Sequence, residues 1–126
     1  MNSLAVAAGG ATGATLRYLV SLWVVRGHAD AFPWATLFVN LVGSFLLGAV
    51  VVYATETSAF SQPLRLFLTV GLCGGFTTMS SFAYETLDFA ARGLAGRALL
   101  YALASLVLSV LAVFAGGALA QWLAGR

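Results

Sequence analysis

Charged residues are scarce in this sequence. They make up 8% of its 126 residues, whereas 61% are hydrophobic and the mean hydropathy is +0.97. An average soluble domain carries about 25% charged residues, so this chain has too few polar groups to cover a surface that faces water. We therefore predict an integral membrane protein. The basic residues are scattered, and they form no cluster that would indicate nucleic-acid binding.

Cysteine is almost absent as well, and no pattern typical of a catalytic site is visible. The single cysteine, Cys73, excludes an intramolecular disulfide and any cysteine-rich metal site. The sequence shows no ATP-binding motif, no cluster of metal ligands and no paired nucleophile and base. An enzyme is therefore not predicted.

The few charges divide the chain into four apolar spans. Each has about 20 residues or more, which is the length that crosses roughly 30 Å of hydrocarbon, and a span in lipid must be helical to satisfy its own backbone. The N-terminal span lacks the basic start of a signal peptide and is too long for one. The fold class predicted is an all-α membrane protein, a single transmembrane domain over residues 1–126 with helices at about 3–25, 34–55, 64–91 and 98–124.

The third span contains an unusual polar stretch, "GLCGGFTTMSSF", from Gly71 to Phe82. Adjacent glycines destabilise a helix by about 1 kcal/mol each relative to alanine, and serine and threonine hydroxyls compete for backbone groups. We therefore expect the third helix to be broken near its centre, at 74–79, with free carbonyl groups at membrane depth. Broken membrane helices bind cations in this way. The alternative is a continuous, kinked helix.

The distribution of arginine bears on orientation. With four spans, Arg65 and Arg126 lie near one side of the membrane, and Arg26, Arg92 and Arg97 lie near the other. The difference in Lys and Arg content between the two sides of the membrane sets orientation. A balance as even as this one would allow insertion in both directions, and therefore an antiparallel dual-topology homodimer. Local features could instead select one orientation. Four short helices enclose little space, so a pore is expected between subunits.

Several polar side chains lie within the predicted spans. Asn40 offers a donor and an acceptor, and it would either face a watery cavity or join two helices. Tyr101, Ser105 and Ser109 are four residues apart on one stripe of the last helix. Their hydroxyls could bond back to their own helix or line an ion path. Arg17 is costly in lipid, although its long side chain can reach a vestibule.

Four segments in order give the chain a resemblance to the CrcB/Fluc family of small bacterial fluoride channels. They are "GGATGATLRY", "TLFVNLVGSFLLG", "GLCGGFTTMSSFAYE" and "ASLVLSV". The resemblance covers nearly the whole chain. It implies an antiparallel homodimer with two pores in the bacterial inner membrane. Fluoride would leave the cell passively, which confers fluoride resistance, and a buried structural Na⁺ would lie at the centre.

The resemblance also implies roles for individual residues. The backbone carbonyls of Gly74 and Thr77 from both subunits would bind the Na⁺. The fluoride pore would be lined by Asn40, Met79, Phe82, Ser105 and Ser109, and residues with vestibular or structural roles would be Arg17, Ser80, Glu85 and Tyr101.

Three positions depart from the family pattern. The family has "TTFSTF" where this chain has "TTMSSF", so Met79 replaces the first of two pore phenylalanines and Ser81 replaces a threonine. A ring edge carries positive charge that can face an anion, whereas a thioether is at best a weak acceptor. Val113 stands where some relatives continue the hydroxyl stripe with threonine.

Two other functions fit four short helices. A small dual-topology multidrug exporter coupled to protons would need a carboxylate within the membrane, and only Glu85 and Asp88 could supply one. A structural subunit of a larger membrane assembly needs no site at all. Measurements of ion flux in liposomes would separate these functions from a channel.

Overall fold

The computed structural model describes residues 1–27 and 32–125. Arg126, one of the arginines used to predict the orientation, lies outside these ranges. Within them the chain is helical and contains no strand.

Four helical segments follow one another. The first is α1 (Asn2–Gly27) and the second is α2 (Trp34–Thr57). The third comprises α3 (Gln62–Leu66), a π-helical stretch (Phe67–Cys73), α4 (Gly74–Phe76) and α5 (Met79–Ala91), and the last is α6 (Ala95–Ala124). Ser58 ends α2 with a positive φ of 51°, and Gly93, with φ 75°, turns the chain between α5 and α6.

Three segments of the described chain are both long and apolar enough to cross a membrane, namely Trp34–Thr57, Gln62–Ala91 and Ala95–Ala124. The first helix is 26 residues long, which is enough to span a bilayer. It is not one of the three, because its glycines, its hydroxyl residues and Arg17 lower its hydropathy.

Glycines allow two close helix pairs. A Cβ atom on Gly48 of α2 would collide with the carbonyl of Val113 in α6, and one on Gly116 would collide with the carbonyl of Phe45. In the other pair, α1 packs on the third segment, where a Cβ on Gly13 would collide with the carbonyl of Leu72. Small residues therefore bring the backbones of both helix pairs into close contact within one chain.

The third segment is interrupted at Thr77 and Thr78. Their backbones are extended, with φ and ψ of −78° and 161° at Thr77 and −150° and 111° at Thr78. We expected the adjacent glycines to break the helix, but Gly74 and Gly75 remain helical. Gly75 instead permits close packing, because its Cβ would lie 2.5 Å from the carbonyl oxygen of Gly10. The interruption thus covers two residues within 74–79, and the segment is not a continuous kinked helix.

Candidate functional site

Two side chains form hydrogen bonds with backbone groups at the interruption and stabilise its non-helical conformation. Asn40 of α2 bonds the backbone of Thr78 twice, since its Oδ1 accepts from the Thr78 N–H at 2.7 Å and its Nδ2 donates to the Thr78 carbonyl at 3.2 Å. The hydroxyl of Thr78 then accepts from the Ser81 N–H at 3.2 Å. This is an N-cap, which begins α5.

The interruption releases several carbonyl groups from the helical pattern, among them those of Gly74 and Thr77. In a continuous helix the N–H of Thr78 would bond the carbonyl of Gly74, and the N–H of Ser81 would bond that of Thr77. Both N–H groups have other acceptors here. The carbonyls of Gly74 and Thr77 are those predicted to bind Na⁺.

The backbone carbonyl oxygens of this region are suitable ligands for a hard cation. Among the described residues no three His, Cys, Asp or Glu side chains converge as a metal site. The carbonyl groups of an unwound helix within the membrane can bind Na⁺. Gly74 is exposed on the surface of the chain, and a Cβ placed on it would find its nearest neighbour, the Thr69 carbonyl oxygen, 3.9 Å away. The residues present therefore fit a sodium ion, for which one chain would supply Gly74 and Thr77.

A cavity of about 320 Å³ adjoins the interruption, between α2, the third segment and α6. It brings together all seven residues predicted for the pore and the sodium site, which are Asn40, Gly74, Thr77, Met79, Phe82, Ser105 and Ser109. Their placement in one cavity is a structural fact, and their roles in ion binding stay predictions.

Several residues of this cavity were not predicted from the sequence. Ser44 is one turn from Asn40 on the same face of α2, a spacing that could have revealed it. Thr69 and Cys73 belong to the π-helical stretch, whose altered register no sequence pattern indicated. The remaining lining residues are Gly43, Leu47, Thr78 and Leu106.

The hydroxyl of Ser105 is the one buried side-chain polar group of the described residues that makes no hydrogen bond of good geometry. Eight serine or threonine side chains bond back to the carbonyl four residues earlier, namely Thr12, Thr15, Ser21, Thr55, Thr57, Thr69, Thr77 and Thr86. The Oγ of Ser105 is buried and makes no hydrogen bond of good geometry among the described residues, although it lies beside the Tyr101 hydroxyl. Since a buried polar group is usually bonded, this hydroxyl retains hydrogen-bonding capacity that a guest in the cavity can use.

Met79 and Phe82 lie one turn apart at the start of α5. The Met79 side chain is 75% exposed in the single chain. The Phe82 ring is half-buried and packs on Tyr101, with 5.3 Å between ring centroids. Both line the cavity, so a change at either side chain alters its wall.

A second cavity of about 250 Å³ contains Arg17 and Glu85 among its lining residues. The Nε of Arg17 donates to the Gly75 carbonyl at 3.1 Å. Glu85 accepts from the Thr36 hydroxyl and from the Tyr101 hydroxyl, each at 2.7 Å. Thr78 lines this cavity as well as the first one, so the interruption lies between the two.

The other two residues predicted for the vestibule lie elsewhere. Tyr101 is fully buried among aromatic rings, and Phe32 meets it edge to face at 5.5 Å. Ser80 is exposed, with its hydroxyl 3.4 Å from that of Thr78. Neither residue lines the two cavities, and their predicted vestibular or structural roles stay predictions.

The candidate carboxylates of an exporter already have partners. Both oxygens of Glu85 accept hydroxyl protons, as described above, and Asp88 forms an ion pair with Arg92 at 2.8 Å. A carboxylate that exchanges a proton for a cationic drug must be accessible to the proton and to the drug. The structure gives no support to that function.

Comparison with known sequences identifies the family. The family described as "CrcB-like protein, Camphor Resistance (CrcB)" matches residues 4–117. The chain belongs to the CrcB family. The predicted resemblance is thus confirmed, and with three apolar spanning helices the chain is a multi-pass bacterial membrane protein.

Curated relatives cover nearly the whole chain. A protein of Agrobacterium fabrum is 48% identical over 96% of this chain and 97% of its own length. One from a strain of Thermus thermophilus is 50% identical over 97% and 95%, and one from Rhizobium meliloti is 47% identical over 92% and 93%. Each of the three is named fluoride-specific ion channel FluC.

Proposed function

We propose that this chain forms a fluoride-selective ion channel through which cytoplasmic fluoride leaves the cell passively. Membership of the CrcB family and the names of its close relatives support a channel and not an enzyme. Such a channel confers resistance to fluoride and belongs in the bacterial inner membrane.

The buried hydroxyl of Ser105, which makes no hydrogen bond of good geometry within the described residues, is the observation that carries the proposal. Fluoride is strongly hydrated, so a pore must offer hydrogen-bond donors while binding weakly enough to let the ion go. Ser105 offers such a donor in the first cavity, where Asn40 retains one N–H beyond the one given to Thr78. Ser109 and the ring edge of Phe82 line the same space.

The two cavities support a path past the interruption. Arg17 places a cationic side chain at the second cavity, where it can attract an anion, while the Glu85 carboxylate of the same cavity accepts hydrogen bonds from Thr36 and Tyr101. Thr78 lines both cavities. An inside-negative potential then drives each fluoride ion outward with about 2.3 kcal/mol per 100 mV.

The working unit is an antiparallel homodimer in which α1 is a fourth transmembrane helix. The exposed positions of Gly74 and Met79 at the interruption support a second copy against this surface. One chain supplies the two predicted ligands, the carbonyls of Gly74 and Thr77, and a second copy doubles that number. A structural Na⁺ at the dimer axis is held by the carbonyls of Gly74 and Thr77 from both chains and supplies positive charge that keeps the facing carbonyls together.

Fluoride efflux from liposomes tests the proposal. Purified protein in vesicles loaded with potassium fluoride should release fluoride only when valinomycin allows K⁺ to follow, because the flux carries charge. An imposed proton gradient should leave the rate unchanged. Release that needs no K⁺ path, or transport of a cationic drug driven by protons, contradicts the channel and favours the exporter.

A further inference from the structure

The carboxamide of Asn40 has two bonds to the backbone of a single residue. It lies on α2, 38 residues from Thr78 in the chain, and it pairs with both the N–H and the carbonyl of that residue. A pore-lining donor needs only one free N–H. The pair of bonds to Thr78 is therefore a second feature of this side chain, beyond its place in the cavity wall.

We propose that Asn40 is a positioning residue for the sodium site, an inference that rests on the sodium ion in the proposed function. Its Oδ1 takes the N–H that would otherwise return to the Gly74 carbonyl. The carbonyl of Gly74 consequently stays free for a cation. Without the Asn40 acceptor, the Thr78 N–H has no partner from α2, and closing the helix onto Gly74 becomes its nearest alternative.

The surrounding bonds show that Asn40 acts at one carbonyl and not on the whole region. The Gly75 carbonyl is bonded by Arg17, and the Thr77 carbonyl is released by the cap that Thr78 provides to Ser81. Gly74 is the position whose release depends on α2. The same side chain that lines the pore thereby holds one of the cation's ligands.

The dependence of thermal unfolding on Na⁺ tests this role without measuring flux. A ligand that binds only the folded state stabilises that state more as the ligand concentration rises. The unfolding temperature measured at increasing Na⁺ concentrations therefore yields an apparent affinity for Na⁺. N-methylglucamine keeps the ionic strength constant during the titration. In Asn40→Leu this affinity should fall about fivefold, the factor that corresponds to about one net hydrogen bond. Asn40→Asp keeps an acceptor for the Thr78 N–H and should keep the Na⁺ response.

Thr36→Val is the matched control. It removes another hydrogen bond between the same two segments, the one from Thr36 to Glu85 at 2.7 Å. It should lower the unfolding temperature and leave the Na⁺ affinity unchanged. Asn40→Ala replaces Asn40→Leu if the larger side chain prevents folding.

The outcomes separate this inference from the proposed function. If the parent protein does not respond to Na⁺, the sodium site itself is contradicted. If the parent responds and Asn40→Leu responds equally, the sodium site stands and the positioning role is overturned. An equal loss of affinity in Thr36→Val also overturns it, because general loosening between α2 and α5 would then explain the effect.

Discussion

At the scale of single residues, Asn40 and Ser105 show what a sequence can and cannot predict about a polar side chain in a membrane helix. Their hydrogen-bonding capacity and their helical positions allowed a place at a cavity or a bond within the protein, and the family resemblance predicted that both line a pore. The sequence left open whether either was already bonded. Asn40 is bonded to Thr78, 38 positions away, and Ser105 makes no hydrogen bond of good geometry in the described chain. That distinction depends on packing between segments, which residue spacing along one helix does not contain.

Ser105→Ala should separate function from stability. The hydroxyl makes no hydrogen bond of good geometry in the described structure, so its removal should change the free energy of unfolding by less than about 1 kcal/mol. Fluoride flux should fall about tenfold, because a donor to an anion is lost. Thermal unfolding and fluoride efflux, measured on the same preparation, test both parts.

The control for this variant is Thr86→Ala, which removes a hydroxyl that bonds its own helix at 2.8 Å. It should leave the flux unchanged. A large loss of stability in Ser105→Ala, or flux equal to that of the parent, would contradict the role given to Ser105.

Met79 and Phe82 should respond differently to substitution. Met79→Phe restores a ring edge at a wall position and should preserve or raise fluoride flux, since methionine already fills a similar volume. Phe82→Ile removes the ring at this wall and its packing on Tyr101, and it should lower the flux several-fold. Liposome efflux at matched protein amounts decides the order. If the flux of Phe82→Ile equals that of the parent, or if Met79→Phe shows no flux, the assignment of these side chains to the pore is contradicted.

At the scale of helical elements, the third segment was predicted in outline and not in detail. Its glycines and hydroxyl residues indicated a break near 74–79, and the structure has extended residues at Thr77 and Thr78. The physical reason differed, because Gly75 packs against α1 and Thr78 ends the interruption as a cap. Neither the partner of a glycine nor the π-helical register at Phe67–Cys73 follows from local propensity, since both depend on a neighbouring helix.

The two adjacent glycines should therefore tolerate alanine unequally. Gly75→Ala places a Cβ 2.5 Å from the Gly10 carbonyl oxygen and should destabilise the chain by about 1–3 kcal/mol. At Gly74 the nearest neighbour of an added Cβ within the chain is 3.9 Å away, so alanine there should leave the chain folded and weaken only the association of two chains.

Thermal unfolding and size-exclusion chromatography measure these two effects separately. The expected pattern is a low unfolding temperature for Gly75→Ala and an increased monomer fraction for Gly74→Ala. Equal unfolding and equal association in the two variants would show that Gly74 does not face a second copy.

At the scale of the whole molecule, the proposed antiparallel dimer requires both orientations in one membrane. The predicted balance of two arginines against three is too even to select one. Ala59→Cys, on an exposed turn after α2, should react with an impermeant maleimide added to intact cells in about half of the molecules. The buried Cys73 is first replaced by alanine. Labelling of all molecules from outside, or of none, would show a single orientation.

The central claim is that this chain forms a fluoride-selective channel, and the reversal potential of its current tests that claim most directly. The measurement uses a planar bilayer with a tenfold fluoride gradient and equal chloride on both sides. The account predicts a current that reverses about 59 mV from zero, at the equilibrium potential of fluoride. Reversal at zero would mean that chloride carries the current, and the absence of any current from correctly folded protein would contradict a channel altogether.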